Sequence, residues 1–301
     1  MNKFILFFLL TISLSAQVKG VVKDSISGKP IPYVNIWVEN ENIGTTSEED
    51  GSFSIDLKED KKLVFSSMGY NVKTISSKNI EPVLLVQKIY EMPEIVVLAP
   101  KRTEEIEIGN YQSHGFRWGV GNINSAVYFE STEEIQNHPF LKEIKFHTKS
   151  EIQNAKIRVN FLRVNSDNSP GESLLDEEII VEVKKGNNKN IIDFSKYNFK
   201  FPKNGFFVSF EKLLIEENKY YYEVNHKTLS GEKKKLARMT IEPNLCFVPE
   251  EQDIVWESAI NGEWKKSNKQ ILEKPKSYEN LLMKKYHNKY LMPSLSITLS
   301  N

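Results

Sequence analysis

The sequence predicts an all-β protein made of two β-sandwiches, and three observations carry that expectation. Short runs in which apolar and polar residues alternate recur from Val18 to the C-terminus, the pattern of half-buried strands. Turn-forming Gly, Pro, Asn and Asp separate these runs. Only Tyr278 to Lys289 reads as a helix, and it is short. At 301 residues, with 40% hydrophobic and 11% aromatic side chains, the chain suits two cores better than one.

The chain opens with a leader, expected over residues 1–16. Met1-Asn2-Lys3 is a basic start, Phe4 to Leu10 an apolar core, and Ser13-Leu14-Ser15-Ala16 a small-residue cleavage site before Gln17, as in a signal peptide. The apolar run falls well short of the roughly 20 residues that a membrane span needs. No cysteine stands at the cleavage site to take lipid, so a soluble exported product is expected, in the periplasm or at the outer membrane rather than released.

Charge and cysteine content narrow the function classes. Lys+Arg 40 balance Asp+Glu 40, which leaves no net field to draw nucleic acid or an anionic membrane. The single cysteine, Cys246, rules out an internal disulfide framework. Its setting, Leu245-Cys246-Phe247-Val248, marks it as a buried small hydrophobe rather than a nucleophile.

The first domain is expected over residues 17–98. Val18 to Val22 is a strand, and Asp24 to Pro30 a polar turn. In the next strand Val34, Ile36 and Val38 alternate with Asn35 and Trp37. Asp50-Gly51 is a hairpin-type dipeptide, after which Phe53 and Ile55 resume the alternation. Leu63-Val64-Phe65 and Val72 to Ile75 add two more strands around Gly69-Tyr70.

Four stretches in order resemble the carboxypeptidase regulatory-like domain: Gly20-Val21-Val22, Gly28 to Ile36, Gly44-Thr45-Thr46 to Phe53, and Ser66-Ser67-Met68-Gly69-Tyr70. The resemblance implies a transthyretin-like β-sandwich that serves as an accessory, non-catalytic module. It covers about a quarter of the chain. Ser47-Glu48 stands where the family often carries an aspartate, which weakens a metal argument and leaves the fold argument intact.

The next stretch, Met92 to Pro100, is similar to the segment that follows this domain in outer-membrane TonB-dependent transporters of Bacteroidetes-type bacteria. The remaining chain lacks the long train of amphipathic strands of a transmembrane barrel, so a TonB-receptor-like N-terminus without a barrel is expected. Ile95 to Leu98 fits two roles, an edge strand offered to an energy-transducing partner or the last strand of the first domain. The second is favoured, because an exposed apolar edge is an aggregation hazard. Residues 99–110, with the charged Lys101 to Glu105, read as a linker.

The second domain is expected over residues 111–301. Ile157, Val159 and Phe161 face away from Lys156, Arg158 and Asn160; Ile179, Val181 and Val183 repeat the pattern, as do Phe206, Val208 and Phe210. Tyr220, Tyr222 and Val224 follow the same rule, which puts both tyrosines inside and Tyr221 outside. Leu295, Ile297 and Leu299 form a closing strand. Asn261-Gly262 marks a hairpin between Val255-Trp256 and Trp264. A jelly-roll-like sandwich is the natural packing solution. The run from Ile144 to Val208, with its Pro170-Gly171 turn, loosely resembles the jelly-roll accessory domains of secreted bacterial proteins.

A search for chemistry returns little. His114, His138, His147, His226 and His287 are scattered, with no zinc-protease spacing, and no Gly-x-Ser-x-Gly elbow occurs. Gly115, Gly119 and Gly121 around Trp118 do not match a phosphate-binding loop. The acidic runs Glu48-Glu49-Asp50, Asp176-Glu177-Glu178 and Glu250-Glu251-Asp253 lack a calcium-loop signature and read as solvated turns. No catalytic residue, metal site or cofactor is therefore expected. Trp256 and Trp264, flanking one hairpin, are the candidate ligand-binding residues. The expectation is a non-catalytic envelope module that binds a protein or a glycan. An accessory partner of an outer-membrane TonB-dependent transporter, or a hydrolase whose site is assembled from distant residues, stand as alternatives.

Overall fold

A computed structural model describes residues 16–88, 104–113, 116–117, 124–227, 233–271 and 284–301. The leader up to Ser15, the Ile95–Leu98 segment and the Gly115, Trp118, Gly119 and Gly121 cluster lie outside them. The described chain is β throughout, apart from the helix Glu133–Asn137 and four short 3₁₀ turns.

The N-terminal module holds strands β1 (Ala16–Asp24), β2 (Asn35–Val38), β3 (Gly44–Thr46), β4 (Ser52–Leu57), β5 (Lys62–Ser66), β6 (Lys73–Ser76) and β7 (Val83–Leu85). They form two sheets, β4-β1-β7 and β3-β2-β5-β6. The inward positions of both sheets make one core, in which Val22, Val34, Ile36, Leu63, Phe65 and Leu85 are fully covered. Phe53 meets Phe65 edge-on at 5.5 Å, a favourable aromatic geometry. The alternation expected in β2 is present, with Val34, Ile36 and Val38 buried and Asn35 and Trp37 half-buried. Asp24 shapes the turn after β1. Its carboxylate accepts from the Ile26 and Ser27 amides and from Gln87 Nε2, and those bonds hold its pKa at about 2. Gly51 sits at φ 74° with an added Cβ only 2.7 Å from the Val22 carbonyl, so this turn admits glycine and little else.

The second domain holds β8 (Glu105–Asn110), β9 (Phe116–Arg117), β10 (Asn124–Phe129), β11 (Phe140–Ser150), β12 (Ala155–Val164), β13 (Pro170–Ser173), β14 (Ile179–Val183), β15 (Gly186–Asp193), β16 (Phe206–Lys212), β17 (Lys219–Lys227), β18 (Lys233–Ile241), β19 (Asn244–Glu250), β20 (Val255–Ser258), β21 (Trp264–Lys266), β22 (Tyr290–Pro293) and β23 (Leu295–Ser300). One sheet runs β13-β12-β16-β10-β20-β21 with β14 beside β12; the other runs β22-β19-β11-β23-β8 with β15 beside β11 and β9 beside β19. The chain crosses between them repeatedly, as in a jelly-roll-like sandwich. Their facing side chains share one core, from Phe161, Phe206 and Val208 on one sheet to Phe146, Ile297 and Leu299 on the other. Within it Phe161 lies 4.6 Å from Phe194 and 5.9 Å from Phe206, centroid to centroid.

Three expectations change. Residues 105–110, read as part of the 99–110 linker, form β8 and pair antiparallel with β23, because Ile106 and Ile108 pack on the core. The Tyr278–Lys289 helix is absent from its described part, where only the 3₁₀ turn Lys284–Tyr286 occurs. The helix that does form, Glu133–Asn137, is capped by Thr132 Oγ1 accepting from the Ile135 amide, with Glu133 and Glu134 in its first turn. That is ordinary N-terminal helix chemistry.

Candidate functional site

The polar face of β12, opposite Ile157, Val159 and Phe161, carries the N-terminal module. Lys156 and Arg158 are only 9% and 4% exposed. Arg158 donates through Nη1 to Glu211 at 2.9 Å and through Nη2 to Glu178 at 3.1 Å. The same guanidinium reaches across to the Tyr33 carbonyl and Asn35 Oδ1 of the module. Burial alone would weaken the Arg158 cation, but Glu211 and Glu178 outweigh it and hold its pKa above the ordinary value. Burial pushes the Glu178 carboxyl up, with Arg158 pulling the other way. Lys156 donates to Tyr33 Oη and bridges Glu49 and Glu217; the Tyr33 bond leads the causes that raise its pKa. Leu213 and Ile215 pack on Tyr33 to close the contact. Glu48 Oε1 accepts from the Glu216 amide, and Thr46 Oγ1 from the Leu214 amide. Two of the three acidic runs read as solvated turns thus supply partners to this interface.

Docking in this way leaves a cleft of about 1040 Å³ beside the interface. One wall is the module: Ile43, Gly44 and Thr45 at β3, and Ser54, Ile55 and Asp56 on β4. β3 and β4 are the edge strands of the module's two sheets on this side. The other wall is the β17–β18 ribbon, through Lys219, Tyr220, Tyr222, Met239, Thr240 and Ile241, with Lys212, Leu214 and Asn244 at the base. Lys212 Nζ donates to the Ile241 carbonyl and to Asn244 Oδ1, and so fixes the root of the ribbon.

The ribbon corrects the expectation for its tyrosines. Tyr222 is 39% exposed and Tyr220 half-buried, and the two rings stack at 5.7 Å and 13°. They line the cleft instead of the core, because β17 pairs only with β18 and no second sheet covers that face among the described residues. Alternation gave the right faces and could not say what each face would meet.

The two tryptophans lie elsewhere, on the outer face of the same sheet that the module docks on. β20 and β21 pair in register, with Ser258 opposite Trp264 and Trp256 opposite Lys266. Trp256 is 8% exposed, set edge-on to Phe207 at 6.2 Å with Lys266 Nζ 5.3 Å above its ring. Trp264 is half-buried against this small cluster. Cys246 is buried. His147 is 5% exposed, with the Tyr111 hydroxyl 3.4 Å from Nδ1. Among the described residues no group of three His, Cys, Asp or Glu side chains is placed to hold a metal ion, and no helix is long and apolar enough to cross a membrane.

A module of two small sheets carrying the Gly-Lys-Pro turn and the Asp50-Gly51 turn defines its class. Residues 18–97 match the CarboxypepD_reg-like domain family, a regulatory, non-catalytic domain type. The N-terminal module is therefore a CarboxypepD_reg-like domain, within a region that resembles a TonB-dependent receptor. That region is similar to TonB-dependent receptor P3 of Formosa agariphila, 37% identical over 86 residues. The match takes in 27% of this chain and spans 8% of the receptor's length. Among solved structures, a likeness to "Structure of infectious bursal disease virus Gx strain" covers 94% of this chain and 64% of that one, at 9% identity and a TM-score of 0.21. A likeness of that size carries no argument.

Proposed function

We propose that the protein is a non-catalytic binding or scaffold module of the cell envelope, recognising a protein or a glycan in the cleft between its two domains. The observation that carries this reading is the cleft itself. The two sandwiches are joined by hydrogen bonds from the buried Arg158 and Lys156 to Tyr33 and Asn35 and by the Lys156–Glu49 ion pair, and the space they leave is walled by strand edges on one side and stacked tyrosines on the other. Such walls offer hydrogen-bonding backbone and aromatic area. The similarity of the N-terminal region to a TonB-dependent receptor supports an envelope location, in the periplasm or at the outer membrane. It also supports a second reading, an accessory partner of an outer-membrane transporter. Trp264, half-buried against the cluster that holds Trp256, is a second, smaller candidate surface.

The test is affinity capture from detergent-solubilised envelope with a parallel glycan array, comparing wild type with Tyr220→Ala/Tyr222→Ala and with Trp264→Ala. Loss of a ligand in the tyrosine variant places binding in the cleft; loss only in the Trp264 variant moves it to the outer face. A ligand unaffected by either change would end both assignments. Recovery of a transporter component among the captured proteins would favour the accessory reading.

A further inference from the structure

The β17–β18 ribbon carries more than one wall of the cleft. Nine residues on each strand pair in unbroken register from Lys219 opposite Ile241 to Lys227 opposite Lys233, a length of about 30 Å. Among the described residues no other strand pairs with either, so the outer edges of both strands are open. The stretch from Lys219 to Ile241 holds six Lys and Arg against Glu223 and Glu232, a local charge of +4 in a chain whose total is zero. Lys233, Lys234, Lys235 and Arg238 are all exposed. Next to them Tyr221 (64% exposed) stands opposite Met239 (49% exposed), which leaves a large apolar pair in water.

Lysines on an open strand edge are an ordinary guard against edge-to-edge aggregation. That role accounts for the lysines and leaves the exposed Tyr221–Met239 pair and the facing strand edges of the module unexplained. We infer that the ribbon is a docking strand for an extended, acidic segment of a partner protein, which adds along an open edge and runs toward the cleft. The inference rests on the reading of the cleft as the binding surface and names the chemistry of its occupant. Open edges present amide and carbonyl groups at the repeat of an extended chain, a match that a polypeptide backbone makes and a glycan or a lipid headgroup does not. Excess positive charge selects acidic side chains in that added strand and repels basic ones. Tyr221 and Met239 give its apolar positions a place to pack.

A random 12-residue peptide library selected on the chain from Gln17 onward tests this. Selected peptides are expected to carry Asp or Glu at every second position. Their affinity should fall about tenfold or more when alternate backbone amides are N-methylated, which blocks edge pairing. It should fall by a similar factor, about tenfold, in Lys233→Gln/Lys234→Gln/Arg238→Gln, whose changes are on the surface and leave the melting temperature in place. Peptides without acidic bias, N-methylated peptides that bind equally well, or a library that does not enrich would each overturn the inference. Those failures are separable from failure of the cleft reading. If the tyrosine variant still loses a captured ligand, the cleft stands and only the acidic strand is lost; if it loses none, both fall.

Discussion

Replacing Arg158 by methionine removes one cation from a site that has been withdrawn from water, and the loss should be large. The side chains of Glu211 and Glu178 are 15% and 21% exposed and both pair with this guanidinium; the Tyr33 carbonyl loses a donor as well. Breaking a buried ion pair from one side costs about 3–5 kcal/mol, because the partner charge is left uncompensated. The partial exposure of both glutamates places this case near the lower end, about 3 kcal/mol. For a domain of this size that is a fall of about 6–12 °C in melting temperature. Two further outcomes follow from the cause. Adding Glu178→Gln and Glu211→Gln should return stability to within about 1 kcal/mol of wild type, since the uncompensated charge is gone. The deficit of the single variant should also shrink as pH falls through the raised carboxyl range, where protonation removes the same charge. Urea and thermal unfolding across pH 4–8 would read all three. A single-variant loss under about 1 kcal/mol, the value of an exposed pair, would refute the claim that this contact is a desolvated interface.

Asp24 gives a second pH signature, at lower pH and from a pKa shifted the other way. Its folded pKa of about 2 lies below the ordinary 3.8, so its contribution is present above pH 4 and is lost as pH falls toward 2; the melting-temperature gap between wild type and Asp24→Asn should close over that range. Phe161→Ala removes a ring that is fully buried and touches Phe194, Phe199 and Phe206, and should cost about 3–5 kcal/mol in urea unfolding. The Cys246 thiol, 2% exposed, should stay silent to a thiol reagent in the native protein and react in denaturant. Gly44→Ala would set a Cβ 2.5 Å from the Ile36 carbonyl and 2.7 Å from Ile260 Cδ1 of the second domain. A side-chain end can yield and a carbonyl cannot, so a measurable loss of stability is expected; a neutral variant would show that β3 shifts freely.

The period-two alternation was enough to find β2, β4, β12, β16 and β23, because a strand with one face in a core buries at least every second side chain. Turn chemistry did the same for the Asp50-Gly51 turn and for the Trp256–Trp264 hairpin. Alternation has no means of saying what covers each face. Lys156 and Arg158 occupy the polar face of β12, where a solvated surface is the natural reading, yet they lie under the N-terminal module. Tyr220 and Tyr222 occupy an apolar face that lines the cleft and is not packed into a core. Asn35 meets Glu211 across 176 positions of chain, and Thr46 meets Leu214 across 168; no local pattern encodes partners so far apart. The sequence by itself determined the β class and most strands of the N-terminal module, with β3 and β7 missed. Only the tertiary structure decided that the two sandwiches dock through buried charge, and that the gap beside that contact becomes a cleft. The physical reason is that propensity and periodicity act within a few residues, whereas desolvation of Arg158 depends on where whole sheets come to rest.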